Sequence, residues 1–280
     1  MRTINKIKVA KILSFILVKI LRLKSTRIVN RGNIKYKLDL KQGIDLSIFI
    51  FGSFQKKITD TLTKVISLNK GKENFSILDI GSNIGDKSLS LARNLLNKNI
   101  TNFMIYSIEP TAFAINKQIE NLNLNNKFKY KIKLFTLFFT NKKKKIKKTF
   151  SSWNLYSKNN IVHGGQNKSF HKETKCISLD KFIVQNKIYN TLAIKLDVDG
   201  NELDVLRSGK NFLLKNRPLI LMEYSPSALK AKKVLIKDFF SFIESINYSI
   251  QDLNLKKIVN NINVQNNSSI DILLVSNKVE

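Results

Sequence analysis

Residues 75 to 96, FSILDIGSNIGDKSLSLARNLL, constrain the fold more than any other stretch, because a strand runs through a glycine turn directly into a helix. Phe75 to Ile80 has the composition of a buried strand, and Lys87 to Leu96 follows it as a helix. The same unit then recurs. FMIYSIEP at 103 to 110 is a second strand stopped by Pro110, Phe113 to Leu124 is its helix, and Lys129 to Thr140 is extended. LAIKLDV at 192 to 198, a helix over Glu202 to Leu214, PLILMEY at 218 to 224 and a helix over Leu229 to Ile246 continue the order. A strand near 248 to 254 and IDILLVSN at 270 to 277 close it. Such alternation predicts an α/β fold: a doubly wound, mostly parallel sheet of seven strands with helices on both faces, over residues 71 to 280.

Two segments precede this domain and one interrupts it. Residues 26 to 70 read as a hairpin turning at Arg31-Gly32-Asn33 and a helix carrying Ile58, Leu62, Val65 and Ile66. Residues 141 to 175 form an inserted, polar loop region with Trp153, Tyr156, His163 and Gly164-Gly165. Residues 1 to 25 read as a basic amphipathic helix. Lys11, Lys19 and Arg22 interrupt VAKILSFILVKILRL at 9 to 23, which is too short to span a bilayer, and no small-residue cleavage site follows. At 100° per residue Lys8, Lys11, Lys19 and Arg22 share one arc, opposite Val9, Leu13, Ile16 and Ile20. Two uses remain open for this helix: a peripheral contact with an anionic membrane surface, or docking of the apolar stripe on the domain. The expected location is the cytoplasm, at the inner membrane surface if the first use holds.

Charge says little about partners. The net charge of +29 comes from 49 Lys and Arg against 20 Asp and Glu, but Lys, Asn, Ile and Phe crowd the whole chain, as AT-rich coding produces. Apart from the run Lys142, Lys143, Lys144, Lys145, Lys147 and Lys148, the basic residues are dispersed. Cys176 has no disulfide partner, and His163 and His171 stand too far apart for a local metal pair, so no metal site is expected.

The chemistry concentrates at Asp79-Ile80-Gly81-Ser82-Asn83-Ile84-Gly85, where a doubly wound sheet binds its ligand. Gly81 and Gly85 let the backbone turn and approach a ligand, and the helix after them offers unpaired N–H groups to a carboxylate. Asp79 can accept from the ammonium of an amino acid. Glu109, ending the next strand, can accept from both hydroxyls of a ribose. Together they describe an adenosine carrying an amino-acid tail, S-adenosyl-L-methionine. Asn83 stands where a pyrophosphate needs a bare glycine, and Asp79 would repel a diphosphate, which argues against a dinucleotide.

With DIGSNIG at 79 to 85, EP at 109 to 110 followed by NLNLNN at 121 to 126, SLD at 178 to 180, KLDVDG at 195 to 200 and PLILMEY at 218 to 224, the chain resembles the FkbM family of methyltransferases. The likeness runs from about Gly32 onward in the family's order and spacing. It implies a Rossmann-like class I methyltransferase that moves a methyl group from S-adenosylmethionine to a hydroxyl of a sugar, glycan or polyketide. Asp199 stands where the family usually carries Glu, so a role borrowed for that carboxylate does not transfer directly.

Methyl transfer aligns an acceptor oxygen with a sulfonium methyl and removes its proton. Lys195 and Asp197 share one side of their strand, and Asp197 sits at its C-terminal end. The catalytic candidates are Asp197 to hold cofactor or acceptor, Asp199 as base, Lys195 to stabilise developing alkoxide, and Glu223 lining the pocket. His163 is a weaker base candidate; Trp153 and Tyr156 either stack on the acceptor or pack the insert, with packing favoured for Trp153. Two other functions compete: ribose 2'-O-methylation of RNA, disfavoured because Glu223 stands where a lysine would help, and a non-catalytic binder, disfavoured by the intact loop and Glu109.

Overall fold

The computed structural model describes residues 3–71, 73–142, 146–156, 166–256 and 269–277. It begins with helix α1 (Thr3–Phe15), continued by a wider π turn over Ile16–Ile20. A hairpin of β1 (Thr26–Arg31) and β2 (Ile34–Asp39) follows, then α2 (Gly43–Phe51) and α3 (Lys56–Asn69). Turn residue Asn33 takes a positive φ of 63°, which asparagine tolerates better than most residues.

The main sheet starts with β3 (Phe75–Ile80), α4 (Asp86–Asn97), β4 (Phe103–Ile108), α5 (Ala112–Asn123), the single turn α6 (Asn126–Lys129) and β5 (Ile132–Phe135). The chain then leaves the sheet for β6 (Leu137–Phe139), β7 (Ile146–Trp153) and β8 (Gln166–Ile177). It returns through α7 (Leu179–Gln185), β9 (Thr191–Leu196), α8 (Glu202–Ser208), α9 (Lys210–Asn216) and β10 (Leu219–Tyr224). Helices α10 (Pro226–Ala231) and α11 (Ile236–Ser245) and strands β11 (Tyr248–Gln251) and β12 (Ile270–Ser276) complete it.

The seven strands lie in the order β11-β12-β10-β9-β3-β4-β5, parallel except where β12 runs against both of its neighbours. This is the doubly wound class I methyltransferase arrangement expected from the sequence. Strand order reverses between β3 and β9, which opens a crevice beyond their carboxyl ends. Period-two alternation sends Leu78, Ile80, Ile194, Leu196 and Met222 into one apolar layer under α7 to α11. Phe75, Ile77, Ile105, Ala193, Leu221 and Leu273 enter the other, with α3, α4 and the hairpin's Ile34, Tyr36 and Leu38. The hairpin therefore shares the core of the sheet. Asn121 and Asn125, both buried in or beside α5, accept from the backbone of Lys37 and Lys35 and fix β2 there.

Several expectations need correction. The extended stretch from Lys129 to Thr140 opens with α6 and splits into β5 and β6, which belong to different sheets. The inserted region is not loop throughout: β7 pairs antiparallel with β8, and β8 pairs parallel with β6. Such pairing joins residues far apart in the chain, and nothing local announces it. The helices expected over 202 to 214 and 229 to 246 each divide in two. One break falls at Gly209, where a Cβ would lie 2.5 Å from the Leu179 side chain. The other falls at Lys233, whose φ is 60°.

The N-terminal helix also departs from the expected division of faces. Leu13 does turn inward, and with Ala10, Leu17, Val18 and Leu23 it packs on Leu40, Leu46 and Leu155. Val9, Ile16 and Ile20, from the same expected stripe, face solvent. The buried Ser14 hydroxyl donates to Leu40 O at 2.8 Å and lies 3.1 Å from the Tyr156 hydroxyl, which fixes the helix to the insert. No helix among the described residues is long and apolar enough to cross a membrane.

Candidate functional site

Two transverse rows on one face of the sheet build the site. Registers place Ser107, Asp79, Lys195, Leu221 and Leu273 side by side across β4, β3, β9, β10 and β12. Two residues on, alternation brings Glu109, Gly81, Asp197 and Glu223 to the same face, with Asp271 directly opposite Glu223. Asp79, Gly81, Glu109, Lys195, Asp197 and Glu223 thus belong to two adjacent rows, and Asn83, Gly85 and Asp199 lie on the turns that leave them.

The glycine loop closes tightly over the switch point. Gly81 has φ 79°, and a Cβ there would sit 1.8 Å from Asp197 O. Gly85 has φ 84°, and its Cβ would meet Gln118 Cγ at 2.7 Å. Gln118 is fully buried, accepts from the Ser82 hydroxyl at 3.0 Å and donates through Nε2 to the Ser107 hydroxyl. Ser88, 3.0 Å from the Ser107 hydroxyl, donates to Asp79 Oδ2 at 2.6 Å. This buried hydroxyl and amide relay aims the Asp79 carboxylate. Sequence reasoning missed its three members Ser88, Ser107 and Gln118; the available signal was polar side chains on faces the apolar spacing marks as buried.

Lys195, 5 % exposed, donates to Gly81 O at 2.7 Å and stands 3.5 Å from Asp79 and 3.7 Å from Asp197. Burial pulls its pKa down, but Asp79 and Asp197 outweigh it and leave the pKa raised, so the ammonium is secure. Its bonds hold the loop and orient the two carboxylates. Even so, Asp79 Oδ1 and Asn83 Oδ1 are buried without a hydrogen-bond partner. Asn83 takes the left-handed conformation at φ 49°, and its N–H donates to Glu109 Oε2 at 3.0 Å. Glu109 Oε1 accepts from Thr111 N and Oγ1 at 2.9 and 2.7 Å, leaving acceptor capacity on Oε2. Burial raises the Glu109 pKa, and the bonds from Thr111 and Asn83 oppose it.

Beside the loop lies a basin of carboxylates. Asp197 is partly open, with its side chain 29 % exposed. Glu223 is lifted from its ordinary 4.5 to about 8, first by burial and then by Asp197, Asp199 and Asp271. Asp271, unnoticed in the sequence, rises to about 6 through burial and Asp197. Glu202 is buried and accepts from Val198 N and Gly200 N at 3.1 and 3.2 Å, so it braces the DVDG turn; burial lifts it to about 7. Asp199 sits on that turn at φ 50°. Gly200 needs its bare backbone, since a Cβ would fall 2.6 Å from Ala228 O.

Other expected features lie elsewhere. Cys176 is half-buried, with its thiol 3.6 Å from Thr174 O. His163 lies outside the described residues, as do the side chains of Trp153 and His171. The Tyr156 hydroxyl meets that of Ser14 on the N-terminal helix. Among the described residues no cluster could hold a metal ion.

Comparison with known proteins bears on these findings. The methyltransferase FkbM domain matches residues 79–250. Methyltransferase FkbM from Methylobacillus flagellatus KT is similar in structure, at 14% identity over 74% of this chain and 45% of that one, with a TM-score of 0.45. The chain therefore spans less than half the length of that relative. Precorrin-6y C5,15-methyltransferase from Geobacter metallireducens GS-15 is similar at 12% identity over 80% and 89%, with a TM-score of 0.41. Magnesium protoporphyrin IX methyltransferase from Synechocystis PCC 6803, solved with bound S-adenosylmethionine, is similar at 9% identity over 79% of each chain, with a TM-score of 0.41. No curated protein matches the sequence.

Proposed function

The chain belongs to the methyltransferase FkbM family, and from that premise we propose that it transfers a methyl group from S-adenosylmethionine to a hydroxyl oxygen of a sugar, glycan or other small molecule. The observation that carries the reading is Asp79 Oδ1, a carboxylate oxygen buried at the switch point with no hydrogen bond. The Lys195 ammonium faces that oxygen from 3.5 Å, which leaves it acceptor capacity for a ligand's ammonium. Asn83 Oδ1, on the same loop, is a second buried acceptor without a hydrogen bond, and bare backbone at Gly81 and Gly85 lets that loop close on Asp197 and Gln118.

These residues fit the cofactor. Asp79 would hold the amino-acid tail and Glu109 the ribose hydroxyls. When bound, S-adenosylmethionine supplies a sulfonium whose methyl carbon is the electrophile. Glu223, with its pKa lifted to about 8, would take the acceptor proton in its ionised form, which grows as the pH rises toward 8. Asp197 orients the acceptor hydroxyl from the open side of the basin, and Asp199 contributes negative charge that keeps Glu223 basic. Lys195, enclosed by Gly81 O and two carboxylates, is a positioning residue in this scheme, in place of the alkoxide role expected from sequence.

Two variants test the parts separately. Glu109→Ala should weaken cofactor binding by about 1.5–3 kcal/mol, roughly ten- to 150-fold, as measured by calorimetry. Glu109→Gln, which keeps an acceptor for Thr111 but turns its NH2 toward the Asn83 N–H, should fall between; unchanged affinity in both would remove Glu109 from the site. Asp197→Asn should keep the fold and bind cofactor but lose about 10²-fold in turnover. The decisive experiment incubates the protein with methyl-labelled cofactor and an extract of its own cell and identifies the labelled product. Label on nitrogen, on carbon or on RNA would overturn the proposed acceptor class.

A further inference from the structure

From the outer face of the N-terminal helix, we infer that the protein docks on an anionic lipid bilayer, with residues 8 to 22 lying in the interface. The inner face is already used: Leu13, Leu17 and Val18 pack on Leu40, Leu46 and Leu155, and Ser14 bonds to Leu40 O. That anchorage leaves no freedom to roll the helix, yet the outer face is apolar too. Val9, Ile12, Phe15 and Ile20 are 46, 59, 51 and 61 % exposed, and Ile16 and Leu21 are exposed beside them. A contiguous row of large apolar side chains held in water marks a contact surface.

Charge identifies the occupant. Lys8, Lys19 and Arg22 are exposed on the same segment, and from Met1 to Leu38 every charged side chain is basic, the first carboxylate being Asp39. The chain as a whole carries 20 acids to 49 bases, so an acid-free stretch of this length exceeds the general basic bias. Apolar side chains that enter the acyl boundary while lysines and an arginine meet phosphate headgroups are the two halves of interfacial binding. An acidic protein surface would be met by the bases but would leave Ile12, Phe15 and Ile20 without an apolar phase. The docked helix also connects to the site. Ser14 meets Tyr156 on the insert, and Thr174, on the insert's strand β8, donates to Pro110 O beside Glu109 at 3.2 Å. A helix lying on a bilayer therefore sets the insert, and through it the mouth of the crevice, at a fixed position relative to the lipid.

Co-sedimentation of the full chain with sucrose-loaded vesicles tests this, using phosphatidylcholine alone or mixed with phosphatidylglycerol. The full chain should pellet with the mixed vesicles at low salt and at least tenfold less with phosphatidylcholine alone. The triple variant Ile12→Gln, Ile16→Gln, Ile20→Gln should pellet at least tenfold less with mixed vesicles while its melting temperature stays within 2 °C or so of the parent, since these side chains lie outside the packed face. Equal pelleting of parent and variant would mean that net charge alone binds lipid and would overturn the inference. So would failure of the parent to pellet, or light scattering showing a dimer that the triple variant dissolves, which would make a second copy the occupant.

Discussion

Gly81→Ala should abolish measurable cofactor binding and lower the melting temperature by about 5–15 °C. Its Cβ would lie 1.8 Å from Asp197 O, a backbone atom that no rotamer change can move aside. The left-handed φ of 79° adds a penalty of roughly 1–2 kcal/mol for a residue with a Cβ, and forcing strands apart adds about 1–3 kcal/mol. Each kcal/mol moves the midpoint by about 2–4 °C in a domain of this size. Relief requires the ends of β3 and β9 to separate, which breaks the bond from Lys195 to Gly81 O and shifts Asp79. Gly85→Ala is the internal control. There the obstacle is the Gln118 side chain, which can turn away at the cost of its bonds to Ser82 and Ser107. Its melting point should fall less and its affinity should weaken without vanishing. Calorimetry and thermal unfolding on both variants decide the matter: parental affinity in Gly81→Ala would mean that the loop does not cradle the cofactor.

How much of this was legible follows from the range of each signal. DIGSNIG announces itself because a glycine turn, an acid and a helix start are neighbours in the chain, and EP marks the next strand end in the same local way. The alternation of strands and helices gave the sheet class for the same reason. Asp271 could not be found so. It opens an apolar strand like many others, and only the antiparallel register of β12 on β10 sets it opposite Glu223. Ser88 and Gln118 lie on different helices and meet only through the Ser107 hydroxyl on β4. The NLNLNN run showed as a family feature, while its work at Asn121 and Asn125 depends on a hairpin more than 80 residues earlier. The N-terminal helix misled because it is apolar around most of its circumference, so a wheel cannot say which face packs; Leu40, Leu46 and Leu155 choose it.

The carboxylate basin leads to a result with two readouts of opposite sign. Glu223→Gln should cut turnover by about 10²–10⁴-fold, the usual contribution of a general base, while making the protein more resistant to heat at alkaline pH. Burial and the neighbouring Asp197, Asp199 and Asp271 raise the folded pKa of Glu223 to about 8, above its ordinary 4.5. The native state therefore favours the protonated form. Its stabilising contribution is complete below about pH 4.5 and disappears as the pH rises through about 8. Glutamine has the shape of the protonated acid and never ionises. Parent and variant should melt together near pH 5, and the variant should melt higher at pH 9. Activity runs the other way, because only the ionised carboxylate accepts the acceptor's proton. The parent's kcat/KM should climb toward a plateau beyond pH 8, and the variant should lack that limb. Asp271, raised to about 6, titrates earlier and so leaves Glu223 as the last of the pair to ionise. Retained turnover in Glu223→Gln would assign the proton to another group. Parallel melting profiles from pH 5 to 9 would show that Glu223 ionises in the folded protein as freely as it does in water.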